Sequence, residues 1–120
     1  MPDPSLVILY VDRPEASAAF YADLLGQSPV EASPTFAMFA LPSGFKLGLW
    51  ARHTVEPAAT GAGGGTELAF PVADVDAVYL DWAGRGLAVI QPPTEMDFGR
   101  TFVGLDPDGH RLRVYDPVMP

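Results

Sequence analysis

The chain has 120 residues with 15 acidic and 7 basic side chains, a formal net charge of −8, and no cysteine. Because nucleic acids and anionic membranes attract clustered cations, the charge argues against both as partners; the lack of cysteine excludes disulfides, iron–sulfur clusters and thiolate zinc sites. With 48% hydrophobic residues, the composition is that of a single folded domain. Short apolar runs and an N-terminus without a signal-peptide pattern predict a soluble, cytoplasmic protein.

The first half of the chain predicts a strand, a helix and three short strands. Residues 6–11 are apolar and rich in β-branched side chains, which is typical of a buried strand. A helix is predicted over 14–25, because Pro14 suits a first helical turn and Gly26 suits a C-terminal cap. Three strands joined by short turns are expected next, near 28–32, 35–41 and 45–50, with a Pro-Ser-Gly turn at 42–44.

The second half predicts the same order of elements after a glycine-rich segment. Residues 51–65 end in Thr-Gly-Ala-Gly-Gly-Gly, a composition typical of a flexible linker. A strand is predicted at 67–72 and a helix at 75–84, capped by Gly84 or Gly86. The remaining strands are expected near 87–91, 99–105 and 110–115, with a Pro-Asp-Gly turn at 107–109.

A sequence repeat relates the two halves. Residues 41–50 and 106–115 share one pattern of turn residues, a cation and alternating apolar side chains, which aligns Pro42 with Pro107 and Trp50 with Tyr115. The chain is therefore interpreted as one α+β domain, 1–120, built from two βαβββ modules. Module one spans 1–50, the linker spans 51–65, and module two spans 66–117.

Strand alternation indicates which side chains share the sheet faces that the helices do not cover. On that face we expect three aromatic residues and three charged ones: Tyr10, Trp50, Tyr115, Glu67, Arg111 and Arg113. Aromatic side chains with a few polar groups are typical of a small-molecule pocket. A solvated polar face, or aromatic residues used in a core or a dimer contact, are the alternative interpretations.

The paired modules and several short motifs resemble the vicinal oxygen chelate superfamily, which includes glyoxalase I, ring-cleaving dioxygenases and bleomycin-resistance proteins. The motifs are Val11-Asp12, the run from Phe20 to Gly26, Pro71 to Asp74, and the hairpin from Asp106 to Pro117. The resemblance implies mixed sheets that form a half-barrel cup, in a domain-swapped homodimer.

The enzymes of this superfamily hold a divalent metal with four side chains, and the resemblance places those positions at Leu6, Gly48, Glu67 and Arg113. Leucine and glycine offer no side-chain ligand, and arginine stays protonated and repels a cation. Neither His110, which alternation turns away from the cup, nor His53, at the linker, replaces them. We therefore expect no metal and no cofactor, and an ion pair between Glu67 and Arg113.

Residues 95–103 (EMDFGRTFV) and the tryptophan that ends the fourth strand resemble the phenazine-antibiotic resistance proteins, metal-free relatives of the bleomycin-binding proteins. This resemblance implies sequestration of a planar aromatic molecule. The expected ligand-binding residues are Tyr10, Phe36, Trp50, Glu67, Phe98, Arg113 and Tyr115, with no catalytic residue. Lys46, Arg111 and Arg113 favour a ligand that bears a carboxylate or a phenol.

Two other functions stay open at this point. The first is a lyase, isomerase or dioxygenase of the same superfamily, which needs a metal or else uses Glu67 as a metal-free base. The second is a scaffold or regulator that binds another protein through the acidic surface. No sequence feature singles out a patch for such a partner.

Overall fold

The computed structural model describes residues 1, 3–61 and 63–117, in two compact units, Met1–Ala62 and Gly63–Pro120. In each unit a strand and a helix precede three strands, as the sequence repeat predicts. The predicted α+β class is therefore confirmed, with two mixed four-stranded sheets. No helix in the described part of the chain has the length and apolar character needed to cross a membrane.

The first unit contains strand β1 (Leu6–Val11), helix α1 (Pro14–Leu25), and strands β2 (Glu31–Ala32), β3 (Phe36–Ala40) and β4 (Lys46–Ala51). The strand order is β1-β4-β3-β2, with β1 parallel to β4 and the other neighbours antiparallel. Helix α1 begins at Pro14, whose fixed φ suits a first turn, and ends where Gly26 adopts a left-handed φ of 65°.

The second unit contains strand β5 (Glu67–Pro71), helix α2 (Val75–Gly84), and strands β6 (Val89–Met96), β7 (Gly99–Leu105) and β8 (Arg111–Pro117). Its strand order, β5-β8-β7-β6, repeats that of the first unit. Helix α2 begins after Asp74, whose carboxylate Oδ1 accepts a hydrogen bond from the Ala77 amide at 3.0 Å.

Each sheet buries one face and presents the other, here called its outer face. In the first unit, α1 packs on β3 and β4, and Phe39, Leu47 and Leu49 are fully buried. In the second unit, Phe102 is fully buried and meets two aromatic rings of α2, Tyr79 at 5.5 Å and Trp82 at 5.4 Å. These edge-to-face contacts fix α2 against β7.

The strands differ from prediction mainly at their ends. Strand β2 is limited to two residues, and β6 starts later and runs further than the predicted 87–91. The pair Pro92-Pro93 argues against a strand because proline has no N–H to donate. Strand β6 accommodates both prolines because it is an edge strand and its pairing register with β7 shifts around them.

The predicted linker is structured at its start. Ala51 belongs to β4, Arg52–Thr54 form a 3-10 helix, and the side chain of Val55 is buried. At the other end, a Cβ on Gly63 would lie 2.5 Å from the carbonyl carbon of Gly109. Glycine is therefore required there by close packing against a turn, which composition alone does not distinguish from flexibility.

Replacing Phe102 with alanine is expected to lower the free energy of unfolding by about 3–5 kcal/mol, because it leaves a cavity beneath Tyr79 and Trp82. Ile90→Ala is the matched control: Ile90 is 48% exposed on β6, so its truncation should cost less than about 1 kcal/mol. Urea denaturation measures both variants. Equal losses would contradict this description of the core.

Candidate ligand-binding site

The seven predicted site residues lie in two groups, one in each unit. Tyr10, Phe36 and Trp50 lie on the outer face of the first sheet. We call this face the tryptophan face and define it by Leu6, Ile8, Tyr10, Phe36, Gly48 and Trp50. The other four predicted residues lie on the outer face of the second sheet. We call this face the arginine face and define it by Glu67, Phe98, Thr101, Arg111, Arg113 and Tyr115. In β1 the burial pattern confirms that Leu6, Ile8 and Tyr10 are on the less buried side.

Trp50 lies between two other aromatic residues on the tryptophan face. Its partner across the parallel pair is Tyr10, and its partner across the antiparallel pair is Phe36. The Tyr10 and Trp50 rings are 6.4 Å apart in an edge-to-face arrangement. All three side chains are half-buried, so the face offers aromatic surface that packing within the unit does not use up.

Gly48 allows the Phe36 ring to lie close to the sheet. A Cβ at this position would be 3.1 Å from Cζ of Phe36 and 3.3 Å from Cγ1 of Ile8. Any larger side chain at residue 48 must therefore displace the ring. The same neighbours occupy the space that a metal-ligating side chain on this strand would need.

Glu67 and Arg113 form the expected ion pair on the arginine face. Nε of Arg113 donates to Oε1 of Glu67 at 2.7 Å, and Nη2 donates to Oε2 at 3.0 Å. Nη1 donates to Oγ1 of Thr101 at 3.2 Å, while Thr101 donates its hydroxyl proton to the Val114 carbonyl at 2.8 Å. The guanidinium is thus held by residues of both strands that neighbour β8.

The strand register explains why these three side chains meet. Arg113 pairs with Ala69, two residues beyond Glu67, and Thr101 pairs with Tyr115, two residues beyond Arg113. Residues two apart share a face, so Glu67 and Thr101 lie diagonally on either side of Arg113. In the first unit Gly48 pairs with Ile8, two residues beyond Leu6, so Leu6 and Gly48 occupy the same register as Glu67 and Arg113.

The ion pair changes the acidity of both partners. Hydrogen bonds from Arg113 hold the pKa of Glu67 below its ordinary value of 4.5, against the opposing effect of burial. The same contact raises the pKa of Arg113. A carboxylate with a lowered pKa is a weak base, so the pair opposes the metal-free acid–base role considered for Glu67.

Phe98 covers part of the guanidinium. It lies in the two-residue turn between β6 and β7. The centroid of its ring is 5.7 Å from Cζ of Arg113 and 6.3 Å from the centroid of the Tyr115 ring. Arg100, just beyond the turn, donates to Glu95 on the opposite strand and makes two bonds of 2.9 Å to Asp76 of α2. These contacts connect the turn that carries Phe98 to the helix.

The four positions that the resemblance implies for a metal do not fit one. Leu6 and Gly48 have no donor, and Arg113 brings a positive charge bonded to the carboxylate of Glu67. Across residues 1, 3–61 and 63–117 no three His, Asp or Glu side chains are grouped to hold a metal ion. His110 is buried and its Nδ1 is 2.7 Å from Oδ2 of Asp106, while His53 lies in the exposed 3-10 helix.

Sequence reasoning missed Thr101 and Arg100. Strand β7 is buried on both faces around Thr101, so alternation gave no signal for the contact with Arg113. Arg100 reaches Asp76, 24 residues earlier, through the packing of α2 on the sheet. Its other partner, Glu95, lies on the part of β6 that extends beyond the predicted 87–91.

Glu67→Gln is expected to remove an acid-dependent part of the stability. Because the folded pKa of Glu67 is lowered, its contribution is present above pH 4.5 and is lost as pH falls through the folded pKa. The wild type should therefore exceed the variant by about 1 kcal/mol or less at pH 7, and the difference should vanish at low pH. Chemical denaturation across pH measures this, with Glu31→Gln on exposed β2 as control; a difference independent of pH would contradict the assignment.

The poor fit of the donor set predicts that purified protein carries no stoichiometric transition metal. Elemental analysis after purification without chelator measures this, and added Ni²⁺ or Zn²⁺ should leave the melting temperature unchanged. One equivalent of tightly bound metal that raises the melting temperature would contradict the prediction, since a ligand of the native state stabilises it.

Comparison of the sequence with known proteins relates this chain to one superfamily. A family model described as the Glyoxalase/Bleomycin resistance protein/Dioxygenase superfamily matches residues 5–114. The phenazine antibiotic resistance protein EhpR of Enterobacter agglomerans is 30% identical over 115 residues, which cover 92% of this chain and 89% of that protein.

Solved structures agree with this relationship. A solution NMR structure of an Agrobacterium tumefaciens protein is 54% identical, with a TM-score of 0.91 over 99% of this chain and 100% of that one. A glyoxalase/bleomycin resistance protein/dioxygenase from Nocardioides is 25% identical, with a TM-score of 0.83 over 98% of this chain and 85% of that one. The chain therefore belongs to the Glyoxalase/Bleomycin resistance protein/Dioxygenase superfamily.

Proposed function

We propose that this protein binds a planar aromatic small molecule and holds it without transforming it. The observation that carries the proposal is the tryptophan face, where Trp50 lies between Tyr10 and Phe36 and all three rings are half-buried. Aromatic contacts contribute about 0.5–1.5 kcal/mol per pair beyond the area they bury, so adjacent rings favour flat ligands.

Binding without reaction is supported by the chemistry of the outer faces. The positions that the family resemblance implies for a metal carry Leu6, Gly48, Glu67 and Arg113, a set with one carboxylate where a metal needs about three protein ligands. Glu67 is engaged by Arg113 through two hydrogen bonds, and its lowered pKa makes it a weak base. Neither feature suits the lyase, isomerase or dioxygenase alternative.

The relationship to EhpR supports a phenazine-like ligand. That protein is described as a phenazine antibiotic resistance protein, and a phenazine is a flat, three-ring aromatic molecule. We propose a similar sequestering role for this chain, in which Trp50 is the stacking platform and Tyr10 and Phe36 flank it. On the arginine face, Phe98 and Tyr115 offer aromatic surface beside the Glu67–Arg113 pair.

The same proposal includes the assembly that the family resemblance implies, a domain-swapped homodimer, and the cytoplasmic location that the sequence favours. Light scattering tests the dimer directly. A mass near twice the 12.8 kDa of one chain supports it, and a mass of one chain contradicts it.

Titration with phenazines is expected to quench the fluorescence of Trp50, because a stacked ring contacts the indole. Trp82 is buried between Phe70 and Phe102 and should respond little. Trp50→Leu should therefore abolish most of the quenching and weaken binding about tenfold, which corresponds to roughly 1.4 kcal/mol. Calorimetry measures the affinity independently of the fluorophore.

Phe45→Leu is the matched control, because Phe45 is an exposed aromatic residue next to β4 that is outside the tryptophan face. Its affinity should equal that of the wild type. Absence of binding across a panel of phenazines and related flat dyes would contradict the proposed function. Full affinity in Trp50→Leu would contradict the role of the tryptophan face.

A further inference from the structure

The two cations of the arginine face differ in exposure. Arg111 lies opposite Glu67 in the pairing of β5 with β8, but it is exposed at the start of β8, where water screens much of its charge. The side chain of Arg113 is only 18% exposed, so a ligand on this face would feel its charge with less screening. The character of Arg113 therefore decides which chemical group the face attracts.

Most of the hydrogen-bond donors of Arg113 are already used by contacts within the unit. A guanidinium has five N–H donors, and the contacts to Glu67 and Thr101 engage three of them. Glu67 also supplies a full negative charge to the same group. Two N–H groups on Nη1 and Nη2 are not used by these contacts. The charge of the guanidinium that carries them is offset by Glu67, on which the more exposed Arg111 also acts.

We propose that Glu67 sets the charge selectivity of the arginine face, so that this face binds a neutral hydrogen-bond acceptor on a planar aromatic ligand and disfavours a carboxylate. This inference rests on the proposed function and names its ligand class. It differs from the expectation of a ligand that bears a carboxylate or a phenol, which rested on the combined positive charge of Lys46, Arg111 and Arg113.

A ligand carboxylate meets two unfavourable outcomes here. Beside the intact pair, it lies near the like charge of Glu67, and like charges in contact are destabilising. If it displaces Glu67 instead, it must first break the hydrogen bonds of 2.7 and 3.0 Å that hold that carboxylate on Arg113. A carbonyl or ring nitrogen accepts from Nη1 or Nη2 without either cost.

The acidity of Glu67 supports the same conclusion. Its lowered pKa keeps the carboxylate ionised at neutral pH, so Arg113 stays compensated under ordinary conditions. The formal charge of −8 on the chain acts in the same direction, although over distance it is screened by salt.

Two probes that differ in one charge test the proposal: phenazine-1-carboxamide, which is neutral, and phenazine-1-carboxylic acid, which is anionic at pH 7.5. Calorimetry measures the dissociation constant of each. The wild type is expected to bind the carboxamide more tightly. Glu67→Gln leaves Arg113 uncompensated, so the ratio of the two constants should shift about tenfold towards the carboxylate.

Two variants control for effects other than charge. Glu67→Asp keeps the negative charge on a shorter side chain and should retain the preference for the carboxamide. Arg13→Gln removes an exposed cation that lies outside the arginine face and should leave the ratio close to that of the wild type, within about twofold. Circular dichroism melting curves show that each variant is folded.

The outcomes separate this inference from the function on which it rests. Tight carboxylate binding by the wild type, or an unchanged ratio in Glu67→Gln, overturns the selectivity assigned to Glu67 while the binding function stands. Failure of both probes to bind the wild type overturns the proposed function and the inference together. If Glu67→Gln does not fold, the wild-type ratio and Glu67→Asp still decide the question.

Discussion

One helix covers one face of each sheet, and a strand sends alternate residues to opposite faces, so β4 and β8 each supply residues to the core and to the outer face. In β4 and β8 the buried residues, such as Leu49 and Val114, lie on the side that packs against the helix, while the intervening residues lie on the outer face. Trp50 and Arg113 are among these outer-face residues. Changes in their chemistry need not disturb the core, which explains how one scaffold accommodates different outer faces.

The two units show this separation directly, because the same register positions carry different chemistry in each. Leu6 and Gly48 in the first unit correspond to Glu67 and Arg113 in the second. Without a side chain at 48, Phe36 lies close to the sheet and the face is aromatic. In the second unit Arg113 occupies the corresponding position, and its charge is offset by Glu67. The proposed binding function follows from these two outcomes of one backbone pattern.

Features fixed by neighbours in sequence were predictable, and features fixed by tertiary packing were not. The bounds of α1 and α2 follow from Pro14, Gly26 and Asp74, whose effects are local. The Glu67–Arg113 pair followed from alternation together with the family resemblance. The turn carrying Phe98 depends on Arg100 reaching α2, and the extent of β6 depends on its place at the sheet edge, neither of which a local pattern encodes.

The consecutive prolines of β6 have a consequence for the behaviour of the protein at high concentration. An exposed edge strand is a template for pairing with other molecules, and β6 also exposes Ile90 and Met96. Pro92 and Pro93 offer no N–H to an approaching strand, and the shifted register interrupts a flat edge. The irregular pairing at this edge therefore disfavours aggregation through β6.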